Sequence, residues 1–239
     1  MEGKVNENET GVVNVLGNTL HNILRVEKIE VSEARPFILE LHYAQRMPSV
    51  SYVYGLYYKD KLSAVLTIGK PASHSLCIGV CGEEHSKQVY ELNRLIALPD
   101  LPENSLSYFM GQVMKDLKDT DLIIVSYADE GADHHGYIYQ ATNWWFTGKT
   151  KQRTDKYTPK NKHSRHYDKS GKHDHLRKVR TSKYRYVYVP NKRLRKKVKK
   201  IINYPILEEY PKGENKPYKL GTRLKTTILN RETGEKYRE

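Results

Sequence analysis

A carboxylate that could perform acid–base chemistry lies directly after a run of apolar residues. The run at residues 121–128 (DLIIVSYA) predicts a buried strand, and Asp129 follows it. In open α/β sheets ligands bind beyond the carboxyl ends of strands, so Asp129 could act as a general base or hold a substrate amine. A turn-forming or helix-capping aspartate is the alternative interpretation.

Four other side chains could share that chemistry. Tyr139 lies one turn into a short helix predicted at residues 136–142, and its hydroxyl could protonate a leaving thiolate or simply pack as an aromatic. His42 and Tyr43 end another predicted helix. His42 could be a base, a metal ligand or a base-stacking group, or a histidine favoured only by the helix dipole. Arg94 lies within a predicted strand and matters for chemistry only if its face lines a cleft.

The elements that must position these residues follow from hydrophobic periodicity. The spacing predicts the order β-α-β-β-β-α-β-α-β, with a loop that contains Pro71 and both cysteines. This order indicates an α/β (α+β) fold with a mixed central sheet flanked by helices. The predicted strands are residues 23–31, 51–58, 62–69, 90–98, 121–128 and 144–147, and the longest predicted helix is 105–117.

Charge is distributed unevenly along the chain. Residues 151–239 contain 28 of the 41 Lys and Arg and 9 of the 28 Asp and Glu, a net charge of +19, whereas residues 1–150 carry −6. We therefore expect an N-terminal extension (1–22), a body that carries the chemistry (23–150) and a basic nucleic-acid-binding extension (151–239). Residues 183–189 alternate as a strand, and residues 192–202 suit a helix dense in cations.

Cations interleaved with tyrosines are typical of nucleic-acid binding, because cations neutralise phosphates and aromatic rings stack on bases. A nuclear-targeting signal is an alternative, and a membrane-surface patch is disfavoured because no broad apolar face accompanies the cations. The candidate nucleic-acid contacts are Arg165, Arg177, Lys178, Arg180, Lys183, Arg185, Arg193, Arg195, Lys196 and Lys197.

Several classes of protein are excluded. No apolar run is long enough to span a membrane, and residues 1–10 are too polar for a signal peptide, so we expect a cytoplasmic protein. Cys77 and Cys81 alone make no disulfide framework, and their spacing is not that of a zinc site. No Gly-rich phosphate-binding motif is present, so nucleotide-dependent kinase and dehydrogenase functions lack support.

The combination of motifs resembles the phage Mom family of DNA-modification proteins, and the element order resembles the GNAT acyltransferase fold. The resemblance extends over roughly residues 23–212 and is most specific between Tyr127 and Trp144. Its motifs are His42-Tyr43, Glu91-Leu92-Asn93-Arg94-Leu95, Asn104-Ser105 with Ser107-Tyr108, Ser126-Tyr127-Ala128-Asp129, residues 135–144 (HGYIYQATNW), Lys183 with Arg185-Tyr186-Val187, and Tyr210-Pro211-Lys212.

The resemblance implies conversion of adenine in phage DNA to a methylcarbamoyl derivative on its exocyclic amine, which protects the DNA from host restriction. It implies Asp129 and Tyr139 as the core catalytic pair, with the site also lined by His42, Tyr43, Arg94 and Ser107. It further implies acetyl-CoA as the acyl source and a ferrous ion whose ligands the sequence does not indicate. The expected cofactor contacts are Leu95, Ala97, Asn104 and Ser105.

One turn departs from the usual GNAT pattern. A Gly-rich turn before the third helix normally cradles the pyrophosphate with its backbone N–H groups. Residues 98–105 (LPDLPENS) contain two acids and no glycine, so this turn repels a pyrophosphate. The helix amides from Ser105 onward could still bind an anion.

Three functions follow from these observations. The first is a DNA-modifying enzyme in the cytoplasm of a bacterial host, acting on double-stranded DNA from which the target adenine is flipped. The second is a GNAT-like acyltransferase acting on tRNA or a small amine. The third is a non-catalytic DNA-binding protein on a GNAT scaffold, which would bind with steep salt dependence and be indifferent to Asp129→Ala.

Overall fold

The computed structural model describes residues 20–159, 167, 169–213 and 219–239. Eleven strands form two sheets in this part of the chain. Seven build a central sheet in the order β1-β2-β3-β4-β5-β9-β6, and four build a smaller sheet in the order β11-β10-β8-β7. The strands are β1 (Leu24–Lys28), β2 (Tyr52–Tyr58), β3 (Lys61–Gly69), β4 (Val89–Ala97), β5 (Ile123–Asp129), β6 (Trp145–Lys149), β7 (Arg153–Lys156), β8 (Leu176–Arg180), β9 (Lys183–Tyr188), β10 (Thr227–Asn230) and β11 (Lys236–Arg238).

Helices cover both faces of the central sheet, as the predicted fold class requires. The two helices that contain Phe109 and Tyr139 pack on one face. The three helices that contain Ile38, Val80 and Val198 pack on the other. The helices are α1 (Val31–Pro36, continued by a π-helical turn Phe37–Leu41), α2 (His74–Cys81), α3 (Ser105–Asp116), α4 (Tyr137–Ala141) and α5 (Lys192–Ile201). No helix in the described ranges is long and apolar enough to cross a bilayer.

The strands β2 and β3 form the predicted hairpin. Tyr58 pairs with Lys61, so Lys59 and Asp60 form a two-residue loop. Both loop residues have positive φ, at 49° and 59°, which matches a type I′ turn and the twist of the strands.

The strands β4 and β5 are parallel but pair over only three residues. The pairs are Val89 with Ile123, Tyr90 with Ile124, and Glu91 with Val125. Beyond them β4 continues to Ala97 and β5 to Asp129, so the two strands separate as they run towards their carboxyl ends. This separation opens the sheet at its centre.

The central sheet extends beyond residue 150. The strand β9 lies between β5 and β6, pairing Ser126 with Tyr186 on one side and Trp145 with Val187 on the other. This strand belongs to the basic extension predicted at residues 151–239, but its Val187 is fully buried in the core. The sheet that positions the candidate site therefore includes part of the predicted extension.

The predicted loop around the two cysteines is wrong, because residues 74–81 form the helix α2. Cys77, Val80 and Cys81 recur at helical spacing and are buried against the sheet. Gly79 allows the Tyr204 hydroxyl to approach within 2.8 Å of where a Cβ would stand. Gly82, with φ of 79°, then ends the helix.

Candidate active site

A cavity of about 850 Å³ occupies the opening between β4 and β5. Residues 91–95 and Ala97 of β4 line one side, and residues 126–129 of β5 line the other. Side chains from both faces of the sheet reach it, because the strands no longer pair there. The π-helical turn after α1 contributes His42 and Tyr43 to the wall, and α4 contributes Tyr139.

Asp129 lies at the mouth of this cavity, and both of its carboxylate oxygens have partners. Oδ1 accepts hydrogen bonds from the Gly131 amide at 3.0 Å and from the Thr181 hydroxyl at 2.5 Å. Oδ2 forms an ion pair with the Lys183 ammonium, which comes from the adjacent strand β9. Asp129 thus caps a turn and orients a lysine while it lines the cavity. Its geometry is compatible with both the functional and the turn-forming interpretation.

Tyr139 is buried on the opposite face of β5. Its ring packs between Trp144 and Tyr186, with both centroid distances at 5.0 Å. Its hydroxyl lies 2.7 Å from the hydroxyl of Ser126, whose oxygen is also 2.8 Å from the Leu92 carbonyl. Burial raises the pKa of Tyr139 to about 12, so the phenol is protonated at neutral pH and can donate a proton.

The short helix that holds Tyr139 depends on one glycine. Gly136 precedes α4 with φ of 82°, a left-handed conformation that side chains disfavour. A Cβ there would come within 2.5 Å of the Tyr186 ring. Gly136 therefore sets both the start of α4 and its approach to β9, as the predicted helix start at residue 136 indicated.

His42 is buried in the wall and ends the π-helical turn. Its Nδ1 accepts a hydrogen bond from the Ala44 amide at 2.9 Å, and its ring packs on Tyr43 at 4.2 Å. Burial, with smaller contributions from Arg94 and His134, lowers the pKa of His42 to about 3. A neutral imidazole fits a base or a packed ring, whereas helix-dipole stabilisation would require a cation.

Arg94 lines the cavity. Its strand face therefore lines a cleft, which is the condition for a chemical role of an arginine within a strand. A register shift in β4 separates it from Leu92, so that Thr67 pairs with Arg94 and Ile68 with Leu92. This bulge brings Arg94 onto the face that carries Glu91, since residues three apart in a regular strand face opposite ways. The guanidinium donates to the carbonyls of Asn93 at 2.6 Å and Arg46 at 2.9 Å.

The expected cofactor contacts divide into two groups. Leu95 and Ala97 line the cavity, together with Leu106 from the first turn of α3. The two serines at the start of α3 donate to nearby backbone carbonyls instead. Ser105 donates to the Pro102 carbonyl at 2.6 Å, and Ser107 donates to the Asn104 carbonyl at 2.9 Å. Neither serine nor Asn104 is among the residues that line the cavity.

The candidate nucleic-acid contacts also fall into distinct places. Arg180 and Lys183 line the cavity, while Arg177 and Lys178 lie on β8 of the smaller sheet. Arg185 instead stacks on Tyr204, with its guanidinium carbon 3.2 Å from the ring centroid, and donates to the Thr147 carbonyl at 2.7 Å. Arg165 lies outside the described residues.

On α5 the side chains of Arg193, Lys196 and Lys197 are exposed to solvent. Arg195 differs from them, because it packs over the rings of Trp145 and Tyr188 and donates to the Asn143 carbonyl at 3.0 Å.

Sequence reasoning missed four charged residues of the cavity. Glu91 lies within the motif shared with Mom proteins, but a carboxylate inside a strand gave no separate signal. Arg46, Lys151 and Arg153 join Arg180 at the mouth. We call these four cations the rim. Their convergence depends on the smaller sheet, in which Arg153 pairs with Arg180 across β7 and β8.

The described residues contain no group of three or more His, Cys, Asp or Glu side chains arranged to bind a metal ion. The donor set does not fit the expected ferrous ion, so no ligand for iron is assigned.

A family model described as the Mom protein family matches residues 23–212, which include every residue that lines the cavity except Leu220. The chain belongs to the Mom protein family. Methylcarbamoylase mom of Escherichia phage Mu is 33% identical over 130 residues. The aligned part covers 52% of this Mom family member and 54% of the phage Mu protein, about half of each.

Comparison with solved structures returns acetyltransferases at low identity. An IAA acetyltransferase from Bacillus cereus matches with 11% identity, covering 70% of this chain and 99% of that one, at a TM-score of 0.42. The ribosomal-protein-S18-alanine N-acetyltransferase from Escherichia coli is 10% identical, with 71% of this chain and 95% of that one covered and a TM-score of 0.42. A GNAT family acetyltransferase from Elizabethkingia anophelis with acetyl-CoA bound is 10% identical, with 70% of this chain and 99% of that one covered and a TM-score of 0.42.

Proposed function

We propose that this protein is a transferase that adds a methylcarbamoyl group, derived from an acyl donor, to the exocyclic amine of adenine in DNA. On this proposal it acts on phage DNA in the bacterial cytoplasm and protects that DNA from host restriction. The observation that carries the proposal is the cavity between β4 and β5 of a Mom family member, which is lined by acid–base side chains and surrounded by cations.

The rim supports a polyanionic substrate. Arg46, Lys151, Arg153 and Arg180 surround the mouth. Their one acidic ion-pair partner among the described residues is Asp155, which lies 2.9 Å from Arg180 and 3.9 Å from Arg153. Such cations bind the phosphates that flank a nucleotide. An adenine in a duplex must leave the stack to reach catalytic groups inside the cavity, so the rim would hold the backbone while the base enters.

The cavity walls supply the groups that the reaction needs. Arg94 steadies negative charge that develops on the acyl oxygen. The protonated Tyr139 donates to the leaving group. Asp129, whose oxygens are held by Thr181, Gly131 and Lys183, orients the amine and the lysine at the mouth.

We propose acetyl-CoA as the acyl donor, which when bound would supply a thioester-activated carbonyl carbon with its methyl group, but not the nitrogen of the methylcarbamoyl group. Leu95, Ala97 and Leu106 form an apolar wall that fits the pantetheine arm. The turn before α3 carries Asp100 and Glu103, which would repel the pyrophosphate in the usual GNAT position. The proposal therefore places the acyl end and the pantetheine arm of the donor in the cavity and leaves the pyrophosphate outside it.

Mass spectrometry of nucleosides tests the function directly. The protein is expressed in bacteria that carry a plasmid, and the nucleosides of plasmid DNA and of tRNA are compared with those of cells that lack the protein. We expect a modified adenine in DNA, absent after Asp129→Ala and retained after the matched surface change Asp119→Ala. Unmodified DNA from cells with soluble protein would reject the proposal, and a modified nucleoside in tRNA alone would favour an RNA substrate.

A further inference from the structure

Glu91 lies at the inner end of the cavity, where the two central strands begin to separate. Its partner Val125 is the last residue of β5 that pairs with β4, and the next residue, Ser126, already lines the opening. Asp129 lies four residues further along β5, which is about 13 Å in an extended strand. The cavity therefore has two carboxylates, one at the inner end and one at the mouth.

The two carboxylates differ in how they are bonded. Asp129 has three partners, whereas no hydrogen bond or ion pair within the described residues involves the Glu91 side chain. A partly buried carboxylate without a partner is costly, because it has lost water and gained no hydrogen bond in return. Because Glu91 lines the cavity, its carboxylate is available to a molecule that binds there.

The surroundings of Glu91 suit a group that takes up and releases a proton. Burial raises the pKa of its carboxyl, and the nearby cations Arg94 and Lys183 oppose that rise. The Glu91 charge in turn acts on Tyr139, which lies across the opening. The titratable or charged groups that face Glu91 are Cys77 from α2, Arg94 from its own strand, Tyr127 from β5, Tyr139 from α4 and Lys183 from β9.

A purely structural role would make Glu91 a counter-ion for a buried cation. Neither cation takes that place. Lys183 is paired with Asp129, and the Arg94 guanidinium donates to backbone carbonyls. No oxygen of Glu91 lies within ion-pair distance of either group among the described residues. Proton transfer is thus the better account of a carboxylate in this position.

We propose that Glu91 is the carboxylate that accepts the proton of the attacking exocyclic amine, an inference that rests on the proposed function. In this acyl-transfer step the amine nitrogen bonds to the acyl carbon, its N–H bond breaks, and the proton passes to Glu91. The step delivers the acyl group of the donor only, and the nitrogen of the methylcarbamoyl group enters in a separate step to which Glu91 is not assigned. The bond from the acyl carbon to the thioester sulfur breaks with its electron pair on sulfur, which takes the Tyr139 proton. Glu91 then returns its proton to Tyr139, so one proton moves in total from amine to thiol.

The test compares Glu91→Gln, Glu91→Asp and the matched surface variant Glu232→Gln with the wild-type protein. The readout is the initial rate of adenine modification between pH 5 and 9. For the wild type we expect the rate to rise with pH as Glu91 ionises, at a pH above that of an ordinary glutamate. Glu91→Gln should lower the rate by about a hundredfold or more and abolish this rise, as loss of a general base does. Glu91→Asp should keep the rise at a reduced rate, and Glu232→Gln should match the wild type.

Two further measurements separate the possible failures. DNA affinity and melting temperature of Glu91→Gln should equal those of the wild type, and if that variant does not fold, Glu91→Asp carries the test through its pH profile. A Glu91→Gln protein that modifies adenine at the wild-type rate with the same pH profile would overturn the role of Glu91 alone. Wild-type protein that modifies no adenine at any pH would overturn the proposed function, and the role of Glu91 with it.

Discussion

The protein has two cationic regions, and they are built differently. The rim consists of four cations brought to the mouth of the cavity by three separate segments. The outer face of α5 carries six exposed cations on one continuous helix: Lys192, Arg193, Lys196, Lys197, Lys199 and Lys200. Within the part of the chain that the structure describes, only Lys197 of these six forms an ion pair with an acid, Glu84 at 3.6 Å. The density of charge is highest on α5, but it is the rim that surrounds the cavity with the candidate catalytic groups.

The helix α5 is attached to the sheet by its other side. Val198 is fully buried, and Leu194 packs in the same cluster, against Val187 and Val189. The Asn191 side chain caps the helix by accepting hydrogen bonds from the amides of Arg193 and Leu194. This attachment leaves the cations exposed to solvent, where their field would act on a polyanion before contact. The comparison teaches that attraction and positioning are separate tasks, which can be altered separately.

The largest effect is expected at the rim. Replacing Arg153 and Arg180 together by Gln should lower the rate of adenine modification by about a hundredfold, since each lost phosphate contact costs on the order of 1 kcal/mol and misplaces the base. The same quantity of charge removed from α5, in Lys196→Gln with Lys197→Gln, is the matched control. Equal losses of rate in the two double variants would refute the distinction.

The wall of the cavity should also respond to pH in a way that α5 cannot. Folding lowers the pKa of His42 from its ordinary value near 6.5 to about 3, so the unfolded chain binds more protons between these values. The stabilisation from neutral His42 is complete above pH 6.5 and is lost as pH falls towards 3, with a slope approaching about 1.4 kcal/mol per pH unit.

Urea unfolding at pH 4 and pH 7 measures this effect. His42→Phe removes the titrating group, so its stability should change less between the two pH values than that of the wild type. Lys192→Gln on α5 should leave the wild-type pH dependence unchanged. NMR spectra that show a protonated His42 in the folded protein at pH 5 would contradict the lowered pKa of this residue.

How far the sequence predicted these regions depends on the range of the interactions involved. Residues 105–117, 183–189 and 192–202 were predicted within about one residue of α3, β9 and α5, because local periodicity defines them. The smaller sheet was missed, since strands such as β7 (RTDK) and β8 (LRKVR) alternate weakly and carry charge on both faces. The position of the smaller sheet beside the cavity depends on strand pairs whose residues are far apart in the chain.

The candidate site was also predicted only in part, because long-range strand pairing shapes it as well. His42, Tyr43, Arg94, Asp129 and Tyr139 all line one cavity, whereas Ser107 bonds within its own helix. The separation of β4 from β5 leaves no local signature in the sequence, so the position of Glu91 at the inner end of the cavity could not be predicted. The insertion of β9 also means that deletion of residues 151–239 would remove a central strand. Point variants are therefore the better test of the basic extension.

A smaller effect is expected on α5. Replacing Arg193, Lys196, Lys197 and Lys200 by Gln should weaken DNA binding several-fold at low salt. It should also reduce the slope of log affinity against log salt by up to about four, since each phosphate contact contributes nearly one. The modification rate at saturating DNA should stay near that of the wild type. Fluorescence anisotropy at several salt concentrations measures the slope, and an unchanged slope would show that α5 does not contact the nucleic acid.

The smallest effect on DNA binding is expected at Arg185, which the sequence grouped with the nucleic-acid contacts. Its guanidinium stacks on Tyr204 and donates to the Thr147 carbonyl and hydroxyl, so its charge serves the packing between β9, β6 and the segment after α5. Arg185→Met should lower the free energy of unfolding by about 1–2 kcal/mol, because a partly buried cation–π contact and two hydrogen bonds are lost. Affinity for DNA should change less than that caused by Arg193→Met, the exposed counterpart on α5. If Arg185→Met weakened DNA binding more than Arg193→Met, Arg185 would be a DNA-binding residue and not a structural one. Only a direct phosphate contact would make a packed arginine contribute more to DNA binding than an exposed arginine.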